Sequence, residues 1–88
     1  MKGLLNNLSK VIQKRRQEMA LSQDTVAERA GLSRTYFSDI ERARRNFSVV
    51  TLASIAHALS IEGSELLRLA EQLEQNSAPA VIPRISNE

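Results

Sequence analysis

Three arginines and an amide fall within five residues, at Arg42, Arg44, Arg45 and Asn46, with no acidic side chain between them. Guanidinium groups are fixed forks of donors that suit phosphate oxygens, and such a run could clamp a phosphate backbone. The charge around it is uneven. Residues 1–46 hold ten Lys/Arg against five Asp/Glu, a balance of +5, and residues 47–88 hold two against five, a balance of −3. A basic front half and an acidic back half suggest a polyanion on one face and something else on the other. Enzymatic chemistry has no visible seat. The chain lacks cysteine, which excludes disulfides, thiolate metal sites and cysteine nucleophiles. His57 is the single histidine and has no carboxylate at ligand spacing, so it reads as a solvated helix residue and no metal is expected. There is no nucleophile–base pair and no glycine loop for a phosphate, so no cofactor is expected either.

The elements that position these residues follow from apolar spacing. Leu4, Leu8, Val11, Ile12 and Met19 recur at helical intervals and predict an amphipathic helix over 4–19. Ser22 then reads as an N-cap, with Asp24 in the first turn and Leu21 stapled to Val26 across it. That helix runs to Ala30 and ends at Gly31, a residue suited to a left-handed cap. The pattern recurs at Leu32-Ser33, with Phe37 as staple partner and a helix over 34–42. It recurs again at Phe47-Ser48, with Leu52 as partner and a helix over 49–59. Gly63 breaks the chain, and a fifth helix is predicted from Ser64 to Gln75, with Glu62 as an alternative cap. No segment alternates with period two for long enough to make a strand. The fold class is therefore all-α: one domain over 1–75, followed by a Pro/Ser/Asn-containing tail over 76–88.

Two short helices joined through Ala30-Gly31-Leu32-Ser33 form a helix-turn-helix unit. Leu21-Ser22-Gln23, Val26-Ala27, Ala30-Gly31-Leu32-Ser33, Ser38-Asp39-Ile40-Glu41-Arg42 and Arg44-Arg45-Asn46 resemble the lambda-repressor/Cro helix-turn-helix family over about residues 8–67. The spacing that carries the resemblance is Gln23, Gly31 and Glu41. It implies a five-helix fold and a sequence-specific regulator of transcription that binds double-stranded DNA. Restriction–modification controllers are one subclass of such small proteins. In this family the second helix of the motif enters the major groove, which makes 34–42 the recognition helix here.

Phe37 and Ile40 must face the core, which leaves Arg34, Thr35, Tyr36 and Asp39 outward as the base-contacting candidates. Arg34 can reach a guanine O6/N7 pair and Thr35 a thymine methyl. Asp39 can take either a cytosine amino group or a neighbouring arginine such as Arg42. Tyr36 can reach a base, or pack partly and place its hydroxyl on a phosphate. The resemblance adds Ser22, Gln23 and Ser33 to Arg42, Arg44, Arg45 and Asn46 as phosphate contacts. It also implies a structural salt bridge between Arg16 and Glu41. Two positions depart from the family: Ala43 stands where glycine is usual, and Phe47 where proline is common. A left-handed Ala43 would carry strain.

A domain of this size buries only about 60–65 % of its unfolded surface and gains from pairing. Leu66, Leu69 and Leu73 make a stripe on the fifth helix that predicts a homodimer interface, extended by Val81 and Ile82 of the tail; the alternative is that they cover the domain's underside. The tail also has the character of a segment that orders on a protein partner, as in an antitoxin. The start of the chain has no long apolar run, so a cytoplasmic protein without a membrane segment is expected.

Overall fold

The computed structural model describes residues 2–77. Five helices follow one another: α1 (Lys2–Glu18), α2 (Gln23–Ala30), α3 (Arg34–Glu41), α4 (Val49–Ala58) and α5 (Gly63–Ser77). There is no strand among the described residues. None of these helices is long and apolar enough to cross a membrane.

Three helix starts share one device. Ser22, Ser33 and Ser48 are N-caps in extended backbone, and their hydroxyls accept from the N–H of Thr25, Tyr36 and Thr51. The residue before each cap, Leu21, Leu32 and Phe47, packs on the core, while its staple partner, Val26, Phe37 or Leu52, is buried within it. α5 begins differently. Its first helical bonds end on the Glu62 carbonyl, and Gly63, read from the sequence as a break, is the first residue of the helix.

The four helix ends before α5 also share one device. Leu21, Leu32, Arg44 and Ile61 each donate an N–H to a carbonyl five residues back, at 2.8–3.1 Å. This closure needs a left-handed residue just before the donor. Only one of the four is a glycine, Gly31 at φ 72°; the others are Ala20, Ala43 and Ser60, at φ 55–58°.

The core is built on Ile12, Val26, Phe37, Ile40, Ile55, Leu59 and Leu66, all without solvent access. Polar contacts fix how the helices meet around it. Arg15 of α1 donates to the carbonyls of Leu59 and Ser60 at 3.0 and 3.1 Å, placing a cation at the end of α4. Asn7 of α1 donates to Glu74 of α5 at 3.0 Å. The Glu74 carboxylate lies so close over the start of α1 that a Cβ on Gly3 would run into it. The buried Ser9 hydroxyl donates to the Ile40 carbonyl at 2.6 Å and ties α1 to α3.

The strongest tie is ionic. Arg16 of α1 meets Glu41 of α3 in a two-pronged pair, Nε to Oε2 at 2.6 Å and Nη2 to Oε1 at 3.1 Å. Their side chains are only 13 % and 2 % exposed. The third Arg16 nitrogen donates to the Leu21 carbonyl at 2.9 Å. A buried pair is tolerable when its remaining donors and acceptors are also satisfied, as they are here.

Two outcomes follow. Glu41→Ala, which strands Arg16, should cost about 3–5 kcal/mol, whereas Arg16→Met/Glu41→Leu, which removes both charges, should cost much less. Urea unfolding followed by circular dichroism reads the difference. Ala20→Gly should relieve a left-handed alanine and gain about 1 kcal/mol, seen as a melting temperature higher by about 4–8 °C.

Candidate nucleic-acid interface

Phe37 and Ile40 point inward from α3 and are fully buried. The opposite side of α3 carries Arg34 and Thr35, both exposed, and Tyr36 and Asp39, both partly so. Among the described residues no ion pair engages Asp39, so its carboxylate is not taken up by Arg42.

Gln23 is the hinge pin between α2 and α3. Its amide nitrogen donates to Glu41 Oε1 at 2.8 Å, and its amide oxygen accepts from Arg34 Nε at 3.3 Å. One continuous chain of bonds therefore runs from Arg16 through Glu41 and Gln23 to Arg34. Asp24 stands 3.8 Å from the same Arg34 nitrogen, a contact that sequence spacing did not single out. Because the Nε of Arg34 is occupied, its two terminal nitrogens are the free prongs of the fork.

The loop after α3 turns on Ala43, which adopts the strained left-handed conformation at φ 58°. At the other three turns of this kind the next residue is Leu21, Leu32 or Ile61, each packed on the core. Here it is Arg44, which is exposed, like Arg42, Arg45 and Asn46. The same backbone geometry that buries an apolar side chain elsewhere presents a cation to solvent here. Arg45 lies over the Tyr36 ring, 5.0 Å from its centre, and so joins the arginine run to the outer side of α3.

The serines expected on phosphates are occupied as caps. Ser22 accepts from the Thr25 N–H and also donates to Thr25 Oγ1, both at 3.0 Å. Ser33 accepts from the Tyr36 N–H at 3.1 Å and keeps its own hydrogen free for a further acceptor.

The apolar stripe on α5 needs correction. Leu66 is fully buried inside the monomer and has no surface for a second copy. It and Ala70 form the inward seam of α5, so the stripe that faces α1 is wider than periodicity alone suggested. Leu69 is partly buried against the same core, and Leu73 is 37 % exposed. Both line a groove with α1 whose edges carry Lys10, Lys14 and Arg15. Val81 and Ile82, with most of the tail, lie outside the described residues. The structure also exposes an apolar pair that the sequence reading did not use, Val49 and Val50 at the start of α4. Among the described residues no group of His, Asp and Glu could hold a metal ion.

Residues 12–66 match the helix-turn-helix family model. The chain is 48 % identical over 67 residues to the immunity repressor protein of Bacillus phage phi105, a match spanning 70 % of this chain and 46 % of that protein, so this chain spans about half of that relative's length. It is 43 % identical over 61 residues to the control protein C.MunI of a Mycoplasma species, covering 69 % of this chain and 78 % of that one. Its fold resembles the restriction-modification controller protein C.AhdI of Aeromonas hydrophila, with a TM-score of 0.69 and 39 % identity over 70 % of this chain and 94 % of that chain. These relatives are regulators rather than enzymes. With two helices closed on Gly31 and a third residue set turned outward from α3, the chain belongs to the helix-turn-helix family of transcriptional regulators.

Proposed function

We propose that the chain binds duplex DNA sequence-specifically as a homodimer, with α3 of each copy in the major groove of a two-fold operator. The observation that carries this reading is the Arg45–Tyr36 stack, which brings the arginine run onto the outward side of α3. Base reading and phosphate clamping then share one surface. Arg34 reads a guanine through its two free terminal nitrogens, held in aim by Gln23. Thr35 packs on a thymine methyl, and Asp39 accepts from a cytosine amino group. Arg42, Arg44, Arg45 and Asn46 take phosphates, as does the free hydrogen of Ser33. One helix reads only a few base pairs, and two copies would place their recognition helices about 34 Å apart on one face of the duplex. The protein works in the cytoplasm on the chromosome. Its relatives named control proteins and immunity repressor make regulation of transcription the consequence of this binding.

Selection of bound sites from random duplex DNA, followed by titration of a selected duplex at several salt concentrations, tests the reading. Log affinity should fall with log salt by about 0.9 for each phosphate contacted. Arg34→Ala should relax preference at one base pair, at a cost of about 1–3 kcal/mol. Arg44→Ala should weaken all sequences alike and flatten the salt slope by about one contact. No enriched site, or affinity that ignores salt, would overturn the proposal.

A further inference from the structure

Val49 and Val50 open α4 with 80 % and 75 % of their surface in solvent. The first turn of a capped helix favours acidic and polar residues, and valine loses rotamer freedom there. Two adjacent valines at these positions therefore gain nothing for the isolated domain. Single exposed apolar residues are ordinary, but this pair borders further apolar surface. Val49 forms the rim of a groove of about 260 Å³ floored by Leu4, Leu8, Phe47, Leu52 and Leu67. No charged residue lines it.

The other apolar groove, of about 440 Å³ between α1 and α5, differs in its edges. Lys10, Lys14, Arg15, Glu18 and Glu65 all line it. Covering it with a second copy would desolvate these charges, whereas covering the valine patch would not. The patch also begins where the arginine run ends, since Asn46 lines the groove as well. A two-fold axis beside it keeps both recognition helices on one side of the dimer. Knob and hollow lie together on one surface, the arrangement an isologous contact requires.

We propose that a second copy of this chain docks on this patch, with Val49 and Val50 of each copy covering the groove of the other. The inference deepens the dimeric reading above and rests on it. It moves the interface from the Leu69–Leu73 stripe to the start of α4. The docked copy then holds residues 46–50 from outside, so the loop that carries Arg44 and Arg45 is anchored by α3 at one end and by the partner at the other.

Sedimentation of the full chain without DNA tests the interface separately from the DNA reading. The wild type should dimerise. Val49→Thr/Val50→Thr keeps side-chain shape and places hydroxyls where water now is, so its helical content should match the wild type. Its dimer dissociation constant should rise by at least about 100-fold, because the hydroxyls would be buried on pairing. Leu73→Ser should sediment as the wild type does. A second measurement does not depend on dissociation. The chain has no cysteine, so Val50→Cys adds a single thiol that a short bis-maleimide should cross-link between copies, while Leu73→Cys should not cross-link. Overturning results are a monomeric wild type, a threonine variant that dimerises as the wild type does, or cross-linking at residue 73 but not at residue 50.

Discussion

The ion pair between Arg16 and Glu41 sets the position of α3. Both charges are withdrawn from water, and that withdrawal is tolerable only while every strong donor and acceptor around them is engaged. Glu41 takes two nitrogens from α1 and one from Gln23 of α2, and Arg16 spends its last prong on the Leu21 carbonyl in the turn between them. Three helices and one turn are thereby locked by geometry that tolerates little slack. The apolar core fills the space between the helices, but apolar contacts are not directional. The ionic network supplies direction, and it ends at the guanidinium of Arg34 on the outer surface.

Much of this was legible in the sequence because it is local. An N-cap serine three residues ahead of the N–H it satisfies, with an apolar residue before it and another four into the helix, is a short-range signature, and it fixed the starts of α2, α3 and α4. The pairing of Arg16 with Glu41 spans 25 positions and came from resemblance to a family, since no spacing rule links the two. What could not be read depends on the width of each buried stripe. Leu66 and Leu69 both fall on the apolar side of α5, and only the approach of α1 decides that the first is sealed and the second partly open. Val49 and Val50 look like core residues in a helix that also offers Leu52, Ile55 and Leu59. Their exposure follows from the angle at which α4 leaves its cap, which is a property of the assembled bundle.

The helix ends reveal a different economy. Four turns use one closing geometry, but only one has the glycine that makes it free of strain. At Ala20 and Ser60 the cost is offset by the apolar residue that follows, Leu21 or Ile61, which packs on the core. At Ala43 that return is missing, because Arg44 follows and stays in water. The turn after α3 is therefore the least self-supporting of the four. Strain without local compensation belongs where an outside contact completes the structure, and this turn lies between the two surfaces proposed to meet DNA and a second copy.

The chain of bonds from Arg16 to Arg34 leaves the outward side of α3 almost free of structural duty. Thr35 and Asp39 make no side-chain hydrogen bond among those described, and Arg34 is held by a single weak one at 3.3 Å. Replacing these side chains leaves the frame behind them intact. A gene duplicate could then drift to a new target without first losing its fold, and two regulators of this kind could share one cell while ignoring each other's sites. Such freedom to diverge is set by residues that never touch the target, Arg16, Gln23 and Glu41, whose constancy keeps the exchangeable surface in register.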